Sequence, residues 1–403
     1  MPGCAFASPK IVALVASLAL FGCASSSVTP SSTGTQGSAG TGAGGTGVGL
    51  PPSGVQGTQV GLLLPLTGSA APVGQDALRA AEMAMFDVGE NSIVLLPRDT
   101  AGDSSTAARQ AQALMDEGAA LLLGPVFSNS VQTVAPVAAR GDVNVIALSN
   151  NSRVASGNVF VLGFRPEEQV ARVVSFARGT GITRFAGIGP SDSYGDVTLG
   201  ALRAAVASSG GSMGPVVTYA PGEYDLTQQV QRLAGAGGAE AILVAGGGQE
   251  ARTVAGLLSA QAGATPETGP RLLGTQRWLD DPALSSEQWL HGAWLAAPSP
   301  DALAAFGGRF EATYGTRPTD VVIAALAYDA VAVAARLGRF VPVDFTAAGL
   351  TTAEGFSGAT GTFRLLPDGL TEHGLAVLEV APGGTTVVDP PQRFALPGLA
   401  LVN

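Results

Sequence analysis

From Gln59 onward, short apolar runs alternate with longer segments in which apolar side chains recur at helical spacing. The first runs are residues 60–64, 93–96, 120–123, 143–147 and 159–162. They are close to continuously apolar, which predicts strands covered on both faces, as in a parallel sheet. Between them lie helices such as residues 107–117, where Ala107, Ala111, Leu114 and Met115 share one face and Asp103 or Ser104 can cap the free N–H groups. Strand, helix, strand in repetition predicts a doubly wound α/β lobe.

The pattern then restarts. Residues 185–188, 216–219, 241–245, 271–274 and 292–296 are further strand expectations, with helices near 196–208, 226–234 and 250–261. A second lobe of similar size follows, so the fold class is α/β, two doubly wound Rossmann-like lobes with a cleft between them. Ligands of open α/β sheets bind beyond the carboxyl ends of the strands, which places the expected site in that cleft. Residues 321–337 are the most apolar later segment, but Asp329 interrupts them. They read as a buried helix.

The amino-terminal end has another pattern. Lys10 precedes an unbroken apolar and small run, residues 11–22, that stops at Cys23. A basic start, an apolar stretch of about a dozen residues and small residues before the cut predict a signal peptide over 1–22. The run falls short of the roughly 20 residues a spanning helix needs. Residues 24–57 contain no charged side chain and are almost wholly Ser, Thr, Gly, Ala and Pro, a composition that cannot bury enough apolar surface to order itself. They predict a disordered linker whose reach is on the order of 30 Å. The stretch Gly42-Ala43-Gly44-Gly45-Thr46-Gly47 matches G-x-G-x-x-G in form only, because no strand precedes it and no helix follows.

Composition narrows the function. The formal net charge is −10, and loss of a leader containing Lys10 makes it more negative, which argues against a nucleic-acid partner. The 2 cysteines are Cys4 and Cys23, so a mature chain beginning at Cys23 forms no intramolecular disulfide. No G-x-S-x-G, H-E-x-x-H, Cys/His metal spacing or P-loop occurs. His291 and His373 lie near no nucleophile motif, and Asp280-Asp281 reads as a solvated pair. The expectation is a non-enzymatic protein with no cofactor and no metal.

Several segments carry a resemblance. Leu62-Leu63-Leu64-Pro65-Leu66-Thr67-Gly68, Arg98-Asp99-Thr100-Ala101-Gly102-Asp103, Leu123-Gly124-Pro125-Val126-Phe127-Ser128 and Ser191-Asp192-Ser193-Tyr194-Gly195 resemble the leucine/branched-chain amino-acid-binding family, the type I periplasmic binding proteins. Phe356-Ser357-Gly358-Ala359-Thr360-Gly361-Thr362-Phe363 with Asp368-Gly369 is similar to that family's terminal hairpin. The resemblance runs from about residue 58 to the end. It implies three crossings between lobes, near 164–166, near 297–300 and loosely near 370, hence one lobe of 58–165 plus 298–370 and another of 166–297 plus 371–403. Leu20-Phe21-Gly22-Cys23 resembles the bacterial lipobox, which implies lipidation of Cys23 and a membrane anchor through that lipid. Ala24 after it suits outer-membrane sorting by family analogy.

The turns that end the strands supply the expected ligand contacts. Ser128 opens a helix that includes Asn129 and Ser130, and a hydroxyl beside free N–H groups is a seat for a carboxylate or other anion; Ser128 equally fits a plain N-cap. Ser149, Asn150, Asn151 and Ser152 end the next strand with donors and acceptors, though such turns are usually only turns. The resemblance adds Tyr194, where the family places an aromatic over the ligand. It also adds Gly247, where amino-acid binders often have an aromatic, and Gln276, where they carry a carboxylate for the ligand ammonium. An α-ammonium buried without a counter-charge is costly. Either the ligand differs, or Asp192, Glu250 or Asp280 substitutes, or the surface no longer binds a solute.

Two functions follow as expectations. One is the binding component of a transporter, which captures a small polar, amino-acid-like solute and presents it to a permease. The other comes from a further resemblance, to penicillin-binding protein activators, outer-membrane lipoproteins that stimulate a peptidoglycan synthase.

Overall fold

The computed structural model describes residues 57–89, 92–223, 225–235, 238–262 and 268–394. The expected leader, Cys23, the Gly42 to Gly47 stretch and the linker up to residue 56 lie outside the described residues, as does the closing segment 395–403.

The first sheet holds β1 (Thr58–Leu64), β2 (Ile93–Asp99), β3 (Leu121–Leu123), β4 (Asn144–Ala147) and β5 (Val159–Val161). All pairs are parallel, in the order β2-β1-β3-β4-β5. Successive side chains of β1 point to opposite faces, and both faces are buried. Val60, Leu62 and Leu64 meet α1 (Ala71–Val88), whereas Leu63 joins the core of α2 (Ser104–Asp116) and α3 (Ser128–Arg140). A Cβ on Gly61 would sit 2.6 Å from Leu114 of α2, so a glycine is what lets that helix approach. Asp103 is the N-cap of α2, its carboxylate accepting from Thr106 N.

After β5 the chain enters α4 (Pro166–Gly179) and builds the second sheet from β6 (Arg184–Pro190), β7 (Ser212–Tyr219), β8 (Ala241–Val244), β9 (Arg271–Thr275) and β10 (Trp294–Ala297). Their parallel order, β7-β6-β8-β9-β10, repeats that of the first sheet strand for strand. Helices α4 and α5 (Ser193–Ser208) cover one face, with Val173, Phe185, Leu202 and Val206 in contact. Helices α6 (Thr227–Gly235) and α7 (Gly248–Ala262) cover the other through Ile188, Val230, Leu233 and Val254.

The chain then returns through α8 (Pro300–Tyr314) to α9 (Val321–Gly338). By length and composition α9 could cross a membrane, but it is mostly buried, packed along α1. Alanines at 77, 80, 81 and 84 face a helix rich in alanine itself, all fully buried, and this absence of bulk permits close packing. A small antiparallel sheet follows: β11 (Phe356–Gly358), β12 (Gly361–Leu365) and β13 (Thr371–His373). The hairpin seen in the sequence is thus part of three strands. Asp329 of α9 ties its turn down, accepting from Ala359 N (2.6 Å), Thr360 N (2.9 Å) and Thr360 Oγ1 (2.5 Å). A Cβ at Gly358 would overlap this carboxylate.

From β13 the chain passes Gly374-Leu375 into β14 (Ala376–Ala381), which pairs antiparallel with β10 and carries β15 (Gly384–Asp389) on the edge. Side chains lace the passages between sheets together. Arg165 donates to Thr371 O (2.9 Å), Thr371 Oγ1 to Val161 O (2.7 Å), and Arg172 Nε to Leu375 O (2.9 Å). His373 Nδ1 lies 2.7 Å from Glu168 Oε1, with its ring centroid 4.3 Å from that of Phe164.

Candidate functional site

In a sheet of this order the connections that follow the first and third strands leave to opposite faces, α1 on one and α3 on the other, which leaves a crevice at the carboxyl ends of those strands. Both lobes build that crevice with the same device. Pro65 follows β1 and Pro190 ends β6, and the carbonyl of each lies where a Cβ of Gly74 or Gly195, in the first turns of α1 and α5, would overlap it. Helix and strand end can therefore meet backbone to backbone. In the first lobe Asp99 fixes the loop by accepting from Leu66 N (2.8 Å), Thr67 Oγ1 (2.6 Å) and Ala101 N (2.7 Å). Burial pushes its pKa up, but these hydrogen bonds outweigh burial and hold it below the ordinary value.

A cleft of about 210 Å³ lies where the strand ends of the two lobes meet. The first lobe contributes Ser128, Asn150, Asn151, Ser152 and Arg153. Pro166 and Glu167, at the start of α4, lie at the passage between lobes, and Ser193, Tyr194 and Val197 come from α5. Drug-sized ligands occupy about 300–1,000 Å³, so this cleft fits a smaller molecule.

Ser128 is the first helical residue of α3. The cap position belongs to Phe127, which makes no side-chain cap bond, so Ser128 is not an N-cap. Asn151 accepts from Arg153 N (3.1 Å) and holds a short turn, Ser152–Val154. Ser152 Oγ donates to Glu167 Oε1 at 2.5 Å, while Glu167 Oε2 is buried and has no hydrogen-bond partner among the described residues.

Tyr194 is fixed at both ends. Its hydroxyl bonds Thr275 Oγ1 at 2.8 Å, and the guanidinium of Arg277 sits 4.5 Å over the ring. Burial raises its pKa, opposed by the Thr275 bond and the Arg277 charge, so the phenol stays neutral. Exposed cation–π pairs contribute about 0.5–1 kcal/mol. Arg277→Ala is expected to lower the folding stability by about 0.5–1 kcal/mol through loss of this contact; a denaturation midpoint equal to that of the wild type would show that the contact contributes nothing.

Four expected contacts do not line the cleft. Asn129 is exposed, its Oδ1 accepting from Ser130 N. Ser149 is buried and serves the backbone: its Oγ accepts from Asn151 N and its carbonyl from Gly163 N. The N–H of Gly247 donates to Glu250 Oε2 (3.0 Å), and that of Gln276 to Gln169 Oε1 (2.8 Å). The carboxylates considered as substitutes for Gln276 have other engagements. Asp192 caps α5 through Gly195 N, and Glu250 holds Gly247. Asp280 has its pKa raised, first by burial and then by the like charge of Asp320. Arg153, Pro166, Glu167, Ser193 and Val197 were not among the expected contacts; Ser193 is the one with a sequence signal, its place beside Tyr194 in the matched segment. Among the described residues no group of three or more His, Cys, Asp or Glu side chains could hold a metal ion.

Two lobes of identical parallel strand order, joined by laced passages and meeting at a polar cleft, define a two-lobed α/β protein of the solute-binding type. The chain matches the model of the periplasmic binding protein family over residues 57–385. It belongs to that family, as a type I periplasmic binding protein. Solved structures share the fold. A branched-chain amino acid ABC transporter periplasmic ligand-binding protein from Burkholderia xenovorans superposes with a TM-score of 0.69 at 18% identity, covering 83% of this chain and 96% of that one. An ABC transporter substrate-binding protein from Sphaerobacter thermophilus gives 0.66 at 20% identity, covering 84% and 99%. A solute-binding protein of R. palustris, in complex with 4-hydroxybenzoate, gives 0.62 at 15%, covering 85% and 99%. An uncharacterized protein of Rickettsia prowazekii is 25% identical over 118 residues, 29% of this chain and 32% of that relative. That match spans about a third of the relative's length.

Proposed function

We propose that this chain is the non-enzymatic solute-binding component of an ABC transporter, a lipoprotein held at the cell envelope by an acylated Cys23. It takes a small polar solute between a lobe of residues 58–165 plus 298–370 and a lobe of 166–297 plus 371–403, and hands it to a permease. The observation that carries this reading is the cleft, in which Ser128, Asn150 and Asn151 of one lobe face Ser193 and Tyr194 of the other. Polar groups converging from two bodies suit capture by closure. Periplasmic location follows from the family. Outer-membrane anchoring is supported by Ala24, by the long tether and by the missing amino-acid-binding groups, and the net charge of −10 speaks against nucleic acid.

Calorimetry and thermal-shift screens of amino acids, amides, short peptides and aromatic acids test the proposal. At least one compound is expected to raise the melting temperature and to lose that effect in Tyr194→Ala. A flat response across all classes overturns it. A second reading, a regulator of a peptidoglycan synthase, is favoured by the family resemblance, which implies a carboxylate where this chain has Gln276. Capture of a synthase with no solute response would decide for that reading.

A further inference from the structure

The chain enters the first lobe at Thr58, the start of β1. Its N–H donates to Ser92 O (3.0 Å), and Ser92 Oγ donates to Ala335 O (3.0 Å). A Cβ on Gly338 would sit 2.7 Å from Ile93, and Arg339 donates to Val88 O (3.1 Å). The amino ends of β1 and β2 and the carboxyl ends of α1 and α9 therefore share one end of the lobe, opposite the strand ends that build the cleft. The same end carries the three most exposed large apolar side chains among the described residues: Val341 at 97%, Phe86 at 86% and Phe340 at 54%. Single exposed apolar side chains are ordinary on a protein surface, but a group of them at one place marks an interaction site. Arg336 and Arg339 lie beside it at the end of α9, the Asp87 carboxylate is engaged by Arg309 and Tyr328, and Glu82 stands one turn before Phe86.

We propose that this end of the first lobe is a membrane-docking face, and that its occupant is the headgroup region of the bilayer that holds the acylated Cys23. The proposal rests on the lipoprotein reading above and adds an orientation. Residues 24–57 separate Cys23 from β1, a length whose reach is on the order of 30 Å, so the end of the lobe that carries Thr58 is kept at high effective concentration near the lipid. Apolar side chains that enter the interface, with cations beside them for anionic headgroups, are the groups such a surface takes up. Parallel strands β1 and β2 then run away from the bilayer, and the cleft at their carboxyl ends lies on the side remote from the membrane that carries the anchor.

A chain beginning at Cys23 has one thiol, so the full mature chain can be attached there to maleimide-bearing vesicles of phosphatidylethanolamine and phosphatidylglycerol with brominated acyl chains. Phe340→Trp places a reporter on the face; Trp278, Trp289 and Trp294 all lie in the second lobe, and their emission is subtracted with the unsubstituted chain. The added emission is expected to be lost on brominated vesicles and kept on unbrominated ones. Phe127→Trp, beside the cleft, is expected to keep its emission on both. Adding Phe86→Ser and Val341→Ser to the Phe340→Trp chain should restore the emission by weakening docking at least about tenfold, since full burial of even one such side chain is worth about that factor. Both side chains are exposed, so the melting temperature should not change. Emission from Phe340→Trp that brominated lipid leaves intact overturns the proposal, and so does a dimer in sedimentation that the same two substitutions abolish, which would make a second copy the occupant. The mass of the chain recovered from cells reads acylation separately. An unmodified Cys23 removes the lipoprotein reading and this proposal with it, whereas an acylated Cys23 with no quenching removes this proposal alone.

Discussion

Replacement of Asp329 by alanine is expected to destabilise the protein by about 3 kcal/mol or more and to free the turn between β11 and β12. The carboxylate is fully buried and accepts three hydrogen bonds, from Ala359 N, Thr360 N and Thr360 Oγ1. Alanine leaves three buried donors without an acceptor, and each such group costs about 1–3 kcal/mol. Asp329 also has a pH signature. Burial drives its pKa up to about 6, against the opposing pull of the Thr360 and Ala359 bonds and the His373 charge. With a folded pKa above the unfolded value, the stabilising contribution is fully present below about pH 4 and is lost as pH rises through about 6. Asp329→Asn has no proton to lose. Across that window the wild type should therefore lose up to about 3 kcal/mol relative to the asparagine variant. Thermal melts of both at pH 4.5 and 6.5 measure the difference, and a constant gap would contradict it.

Gly195→Ala is expected to damage both stability and binding. Its Cβ would overlap the carbonyl oxygen of Pro190, backbone that cannot rotate aside, and the Gly195 N–H is already committed to Asp192 Oδ1 at 2.9 Å. Overpacking of this kind costs about 1–3 kcal/mol and occasionally more. Relief requires the first turn of α5 to move away from β6, carrying Ser193 and Tyr194 out of the cleft, so affinity should fall at least about tenfold, since a 1.4 kcal/mol loss of binding energy is that factor. The control is Gly200→Ala on the same helix. No atom lies within 4 Å of its Cβ position, and alanine there is expected to stabilise by about 0.5–1 kcal/mol. If both variants melt alike, the packing argument at Pro190 is wrong.

These two sites mark the border of what the sequence reveals. Most strands of the parallel sheets announce themselves because they are apolar on both faces, the edge strand β7 being an exception, and of the two candidate caps it is Asp103 that caps α2. The edge hairpin of β14 and β15 does not, since β15 is exposed over much of its length and lacks that double-sided pattern. Of the small sheet the sequence shows the β11–β12 hairpin but not the third strand, β13, and the buried aspartate that ties down the hairpin turn comes from a distant helix. Within the cleft, Ser128, Asn150, Asn151 and Tyr194 stand where strand ends predict. Ser149 and Asn150 separate because adjacent side chains turn opposite ways as the strand ends: one is buried under the loop while the other opens to the cleft. Glu167 leaves no local trace at all. It reads as an ordinary first-turn acid of α4, and only the passage of the chain between lobes brings it to Ser152.

The lacing of Arg165 to Thr371, Thr371 to Val161 and Glu168 to His373 makes the passages after β5 and after β13 a single two-ply strap. Such a strap bends across its width but resists twist and shear, so the lobes should swing about one axis, like the boards of a book. Distance from the spine then sets how far each wall travels on closure.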